Sequence, residues 1–152
     1  MSINSLEKVD PNQRLIATEI VPPPIDRHQL LIACIAHSIS VCKNLELFLT
    51  QEGYRSYSVQ DPLKIMTTLI KHKPDLIFLD LLMPMANGYE ICQQIRRTPA
   101  LQDVPVVILT EKDGLFDRMR AKVIGANEFL SKPIAHADIQ RVLGKYLESS
   151  EW

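Results

Sequence analysis

The sequence predicts an α/β fold: a doubly wound, five-stranded parallel sheet of order 2-1-3-4-5, the flavodoxin-like (βα)5 arrangement. Three observations predict it. Apolar runs at 30–36, 76–79 and 104–109 are too continuous for half-exposed strands and mark strands buried on both faces. Between them lie stretches with apolar residues at helical spacing, so strand and helix alternate five times. Right-handed crossovers then leave few topologies, and five units fit the order 2-1-3-4-5.

Each element has its own local reason. Strand β1 covers 30–36. Helix α1 follows with Val41, Leu45, Phe48 and Leu49 on one face, and Gly53 stops it. Residues 54–59 alternate like an edge strand and form β2. Asp61-Pro62 is a helix start, Asp as N-cap and Pro at the first helical position, opening α2 through Leu63, Ile65, Met66, Leu69 and Ile70. Pro74 ends α2, and β3 runs to Asp80. Asn87 caps α3, which holds Tyr89, Ile91, Cys92 and Ile95 and ends before Pro99. Strand β4 reaches Thr110. Asp113 opens α4 through Leu115, Met119 and Val123, and Gly125 stops it. Strand β5 (127–132) is short and ends at Lys132. Helix α5 (137–147) carries Ile139, Val142, Leu143 and Leu147. Met83, Met85 and Met119 read as core or rim packing.

The chain has 152 residues, enough for one domain with a substantial core. Residues 1–27 read as a flexible N-terminal tail or linker, because they are polar and Val21-Pro22-Pro23-Pro24 favours an extended segment. The domain is expected at 28–149, with 150–152 as a short C-terminal end. From residue 28 onward 14 Lys+Arg face 14 Asp+Glu, so no basic excess points to direct nucleic-acid binding. Cys34, Cys42 and Cys92 lack CxxC spacing and read as buried thiols of a reducing compartment. No apolar run of membrane length and no leader-like start is seen, so the expected location is the cytoplasm, away from membranes.

Strand ends carry the chemistry. In such a fold ligands sit at the carboxyl ends of the strands, where the winding reverses between β1 and β3. A carboxylate (Asp80), a hydroxyl (Thr110) and an ammonium (Lys132) end three successive strands. That trio suits phosphoryl chemistry. Strand β1, which should bring more acid to the same edge, delivers Ala36 and His37 instead.

The residues Asp80 with Met83-Pro84 and Gly88, then Thr110, then Lys132-Pro133 resemble the receiver domain of two-component response regulators, the CheY-like family. The resemblance spans about 28–149. Within it, Asp61-Pro62, Asn87-Gly88-Tyr89-Glu90-Ile91-Cys92 and Arg120-Ala121-Lys122 are similar to the PatA-type receivers of cyanobacteria. By the resemblance, Asp80 is the phosphoacceptor, Thr110 and Lys132 bind the phosphoryl group, and Phe129 is the switch aromatic. Lys132-Pro133 falls where the family has a cis peptide. Ala36 and His37 fall where the family has two magnesium-holding acids, so the acidic pair is degenerate. Asp80 is then the sole remaining side-chain ligand, helped at most by the Leu82 carbonyl. Glu111, directly after Thr110, adds a like charge at the pocket rim.

Magnesium wants near-octahedral oxygen ligation. At an effective dielectric near 20, a carboxylate ~4 Å from a dication contributes on the order of 8 kcal/mol before desolvation. Losing two such ligands should leave magnesium binding weak or absent, with no other cofactor expected. His37 offers a nitrogen suited to zinc, nickel or copper, but no partner ligands are visible in the sequence.

The expected function is therefore a response regulator receiver module in two-component signal transduction that is not an enzyme. It acts as a degenerate receiver through protein–protein interaction on its α4-β5-α5 face (about 113–147). The alternative is a working phosphoacceptor, phosphorylated on Asp80 by a histidine kinase. Homodimer formation is compatible with either. A haloacid-dehalogenase-type hydrolase needs a second acid two residues after the nucleophile, where Leu82 stands. A dinucleotide site would need a G-x-G-x-x-G after β1, and none follows.

Overall fold

The computed structural model describes residues 25–83, 85–111, 119, 120, 122 and 124–148. Strands β1 (Leu31–Ile35), β2 (Arg55–Val59), β3 (Leu76–Asp80), β4 (Val106–Thr110) and β5 (Glu128–Ser131) form one sheet in the order β2-β1-β3-β4-β5. Every neighbouring pair is parallel. This is the predicted architecture. All five residues of β3 and of β4 are buried, while β2, at the edge, buries only Val59.

Alternation along the strands builds two cores, one on each face of the sheet. Ile77 and Leu79 of β3 join Ile35, Ile65, Leu69, Ile91 and Ile95 on the side of α2 (Ile65–His72) and α3 (Gly88–Arg97). Leu76 and Phe78 face the opposite way, toward Leu45, Phe48 and Leu49 of α1 (Ile39–Gln51) and Ile139 and Val142 of α5 (His136–Leu143). The period of two sends successive side chains into opposite cores. Each fully buried aliphatic or Phe side chain contributes about 1.5–3 kcal/mol. Cys34, Cys42 and Cys92 are buried free thiols, as expected. Among the described residues no helix is long and apolar enough to cross a membrane.

Helix ends follow their caps. Ser38 Oγ accepts from Val41 N–H at 3.3 Å to open α1, and Asn87 Oδ1 accepts from Tyr89 N–H at 2.9 Å to open α3. Gly53, at φ 89°, takes the left-handed conformation that ends α1. The predicted α4 falls mostly outside the described residues, although Met119, Arg120 and Lys122 are helical.

Five local expectations are corrected. Asp61 caps not an α-helix but a three-residue 3-10 turn, Pro62–Lys64, which leads into α2; such tight turns are common at helix entrances. Strand β5 ends at Ser131 rather than Lys132, although Lys132 N–H still reaches Thr110 C=O at 2.7 Å. Helix α5 stops being α-helical at Leu143 and widens into a π turn over Gly144–Glu148, which side-chain bonds to β5 hold open. Met85 is 85% exposed and Met119 59% exposed, so only Met83 packs inward. Leu82–Met83 pairs antiparallel with Ala86–Asn87, which leaves Met85 at the tip of the turn. Finally, Arg27, read as tail, is bonded to the domain through Glu52 and Glu148.

Candidate functional site

Parallel strands of equal reach bring Asp80, Thr110 and Lys132 to one edge. Asp80 pairs in register with Leu109, and Thr110 with Ser131, the residue before Lys132. Asp80 and Thr110 are buried, 1% and 5% exposed. The apolar remainder of β3 carries the carboxylate inside, where a charge must be paired and hydrogen-bonded. It is both. Lys132 Nζ donates to Asp80 Oδ2 at 2.6 Å, and Leu82 N–H donates to Oδ1 at 2.9 Å. Each carboxylate oxygen therefore already has a donor. The Lys132-Pro133 peptide is cis.

Gly88 sets the loop that follows. A Cβ there would meet Leu81 Cα at 2.9 Å, Leu81 Cδ2 at 2.8 Å and Asp80 O at 3.1 Å. Two of those three atoms are backbone and cannot step aside without moving the acid itself. Gly88→Ala should therefore cost about 1–3 kcal/mol, read as a lower urea midpoint with an unchanged slope. A neutral substitution would show that the loop does not press on Asp80.

The end of β1 is chemically different. Ala36 is fully buried, its N–H bonded to Val59 O at 3.3 Å and its carbonyl accepting the Cys42 thiol at 3.5 Å. His37 is exposed and Ser38 is spent on capping α1. His37, Gln60, Asp61 and Met85 help line an open hollow of about 640 Å³ at this corner. The carboxylate among them, Asp61, caps the Leu63 N–H at 3.0 Å. Among the described residues, no three His, Cys, Asp or Glu groups gather as a metal site. Cys42 was legible only as a buried residue of α1. Its bond to the Ala36 carbonyl needs the fold, and no local pattern announces it.

Three further predicted residues have definite places. Leu82 is 56% exposed beside Asp80, and Glu111 is exposed at the end of β4. Phe129 of β5 pairs with Ile108 and is partly buried against the core shared with α2 and α3.

Residues 32–144 match the family model for the response regulator receiver domain. The chain belongs to this family. Receivers are signalling modules of two-component systems, not enzymes. Protein PilG of Pseudomonas aeruginosa is 27% identical over 120 residues, covering 79% of this chain and 89% of that protein. The uncharacterised transcriptional regulatory protein YclJ of Bacillus subtilis is 33% identical over 119 residues, 76% of this chain, and the receiver spans about half (51%) of its length. Among solved structures, chemotaxis protein CheY4 of Vibrio cholerae superposes with a TM-score of 0.73 at 23% identity, covering 78% of this chain and 98% of that one. The receiver domain of a sensor histidine kinase from Pseudomonas aeruginosa, solved with magnesium in its active-site cleft, gives a TM-score of 0.72 at 27% identity, covering 79% and 98%.

On the far edge of this receiver, Glu128 of β5 gathers three partners from α5 and the turn after it. Lys145 Nζ donates to Oε2 at 3.1 Å, the Tyr146 hydroxyl shares its one proton between Oε2 at 3.1 Å and the Asn127 carbonyl at 3.0 Å, and Arg141 Nη1 lies 3.6 Å from Oε1. Burial pushes the Glu128 carboxyl up, but the bonds from Lys145 and Tyr146, with the charges of Lys145 and Arg141, outweigh it and hold the group below its ordinary range. A depressed carboxylate stabilises the fold above its unfolded pKa, about 4.3, and loses that contribution as pH falls through its folded value. Glu128→Gln should therefore lower stability by about 0.5–1 kcal/mol at pH 7, a value kept small by solvent screening. Parent and variant should converge in parallel urea titrations as pH falls below the folded value of Glu128.

Proposed function

We propose that this receiver is degenerate: a module that signals by protein–protein contact, with weak or absent magnesium binding and with Asp80 held as a structural anion. The observation that carries the reading is the end of β1, where Ala36 and His37 present a buried methyl and an exposed imidazole. Magnesium at Asp80 needs oxygen donors beside it. Neither side chain supplies one, and both Asp80 oxygens already have donors. The residues present do not fit the ion, so no phosphoryl step is routed through it. Exposed Glu111 adds a like charge against an incoming phosphoryl donor.

The proposed output surface is the α4-β5-α5 face, engaging a partner protein in the cytoplasm. Within the family we read it as of the PatA type found in cyanobacteria, on Asp61-Pro62 and the 87–92 stretch. A working phosphoacceptor, served by a histidine kinase, is the second reading. What favours it is the meeting of Asp80, Thr110 and Lys132 at one edge, an arrangement that can bind a phosphoryl group. Mass spectrometry after incubation with acetyl phosphate and magnesium separates the two. The first reading expects no phosphoryl adduct, and an adduct abolished by Asp80→Asn would establish the second.

A further inference from the structure

A guanidinium ahead of β1 ties two distant parts of the domain together, and the receiver motif does not include it. Arg27 sits just before β1, in a short 3-10 turn (Arg27–Gln29) capped by Asp26. Its guanidinium makes a two-point contact with Glu148: Nε lies 2.9 Å from Oε2, and Nη2 donates to Oε1 at 3.1 Å. The remaining Nη1 donates to the Glu52 carbonyl at 2.9 Å and lies 3.5 Å from the Glu52 carboxylate. The plane rests over the Tyr54 ring, 5.1 Å from its centroid. Paired carboxylate, carbonyl and aromatic face together use the fork geometry that only arginine offers.

The partner Glu148 is the last residue of the π turn Gly144–Glu148. A π turn is rare and is the wider alternative to simply continuing the α-helix. Here its polar side chains are pinned from outside: Lys145 to Glu128 at 3.1 Å, Tyr146 to the Asn127 carbonyl at 3.0 Å, and Glu148 to Arg27. Nothing in Gly144 demands the wide form, since a Cβ there would meet open space. The turn is thus held by contacts with other elements, and continuing α5 as α-helix would carry Glu148 around the axis, away from Arg27.

We propose that Arg27 is a latch: it couples the 3-10 turn Arg27–Gln29 ahead of β1 to the end of α5, so that whatever releases one releases the other. The element with two arrangements is the turn after α5, π when latched and free to rewind when not. Coupling of this kind is reciprocal. A partner that draws Arg27 away loosens the end of α5, and a partner that seizes Glu148 loosens the 3-10 turn. The latch lies at the opposite end of the strands from Asp80, so it holds whether or not Asp80 accepts a phosphoryl group.

Amide hydrogen exchange on the intact chain tests it. Arg27→Ala should raise exchange of the 144–148 amides about tenfold, and Glu148→Gln should raise exchange of the 27–30 amides by a similar factor, with β1, β3 and β4 unchanged. Arg27→Lys should recover only part, since an ammonium cannot fork onto the carboxylate. The exchanged pair Arg27→Glu with Glu148→Arg should restore protection at both ends. If Glu148→Gln leaves residues 27–30 unchanged, or if either variant speeds exchange evenly through the sheet, the latch is disproved.

Discussion

Lys132→Met should destabilise the domain by about 3–5 kcal/mol, the cost of leaving one member of a buried ion pair without its partner. The residue it strands is Asp80, 1% exposed, whose Oδ2 has Nζ at 2.6 Å while Oδ1 accepts from the Leu82 N–H at 2.9 Å. For a domain of this size the loss corresponds to a fall in Tm on the order of 10–20 °C. Adding Asp80→Asn should recover much of it, because the amide oxygen can still accept from Leu82 while the uncompensated charge is gone. Asp80→Asn alone should cost less than Lys132→Met, since the Lys132 side chain, 13% exposed, can carry its ammonium outward. Denaturant curves of the three variants check the ordering. A neutral Lys132→Met would mean that the pair does not hold the edge together.

Ala36→Asp combined with His37→Asp should give the domain a magnesium dependence. Each restored oxygen ligand is worth at least ~1.4 kcal/mol, or tenfold in affinity, so the pair should raise affinity about a hundredfold or more. Without the ion the double variant should be less stable than the parent, since two new carboxylates join Asp80 at the corner where Lys132 is already paired. With magnesium at ~100 times its Kd, about 2.7 kcal/mol should return. The parent should show no such response. The comparison is a thermal melt with and without magnesium, and a double variant indifferent to the ion would place the deficit somewhere other than the end of β1.

How much of this was legible beforehand depends on how local each signal is. The apolar runs of β3 and β4 declared strands covered on both faces, and both are buried along their whole length. Once the strands are parallel, their carboxyl ends must share an edge, so Asp80, Thr110 and Lys132 could be brought together from sequence alone. That Ala36 and His37 follow β1 at the same edge was legible in the same way. Arg27 was not legible, because its partners lie 25 and 121 residues away and nothing in the polar stretch around it marks the contact. Nor was the π turn, since Val142, Leu143 and Leu147 fit an α-helix equally well and the deciding bonds come from Asn127 and Glu128. Met85 failed for a third reason: an apolar residue next to a buried one reads as packing, whereas the two-residue ladder turns it outward.

Whether the Asp80 edge holds magnesium is answered by a magnesium titration of the parent chain followed at the backbone amides. The Leu82 amide, bonded to Asp80 Oδ1, is the reporter nearest the carboxylate. Its resonance, and those of the residues after β1 and β4, should stay in place up to millimolar magnesium. A saturable shift centred on Leu82 and lost in Asp80→Asn would contradict it.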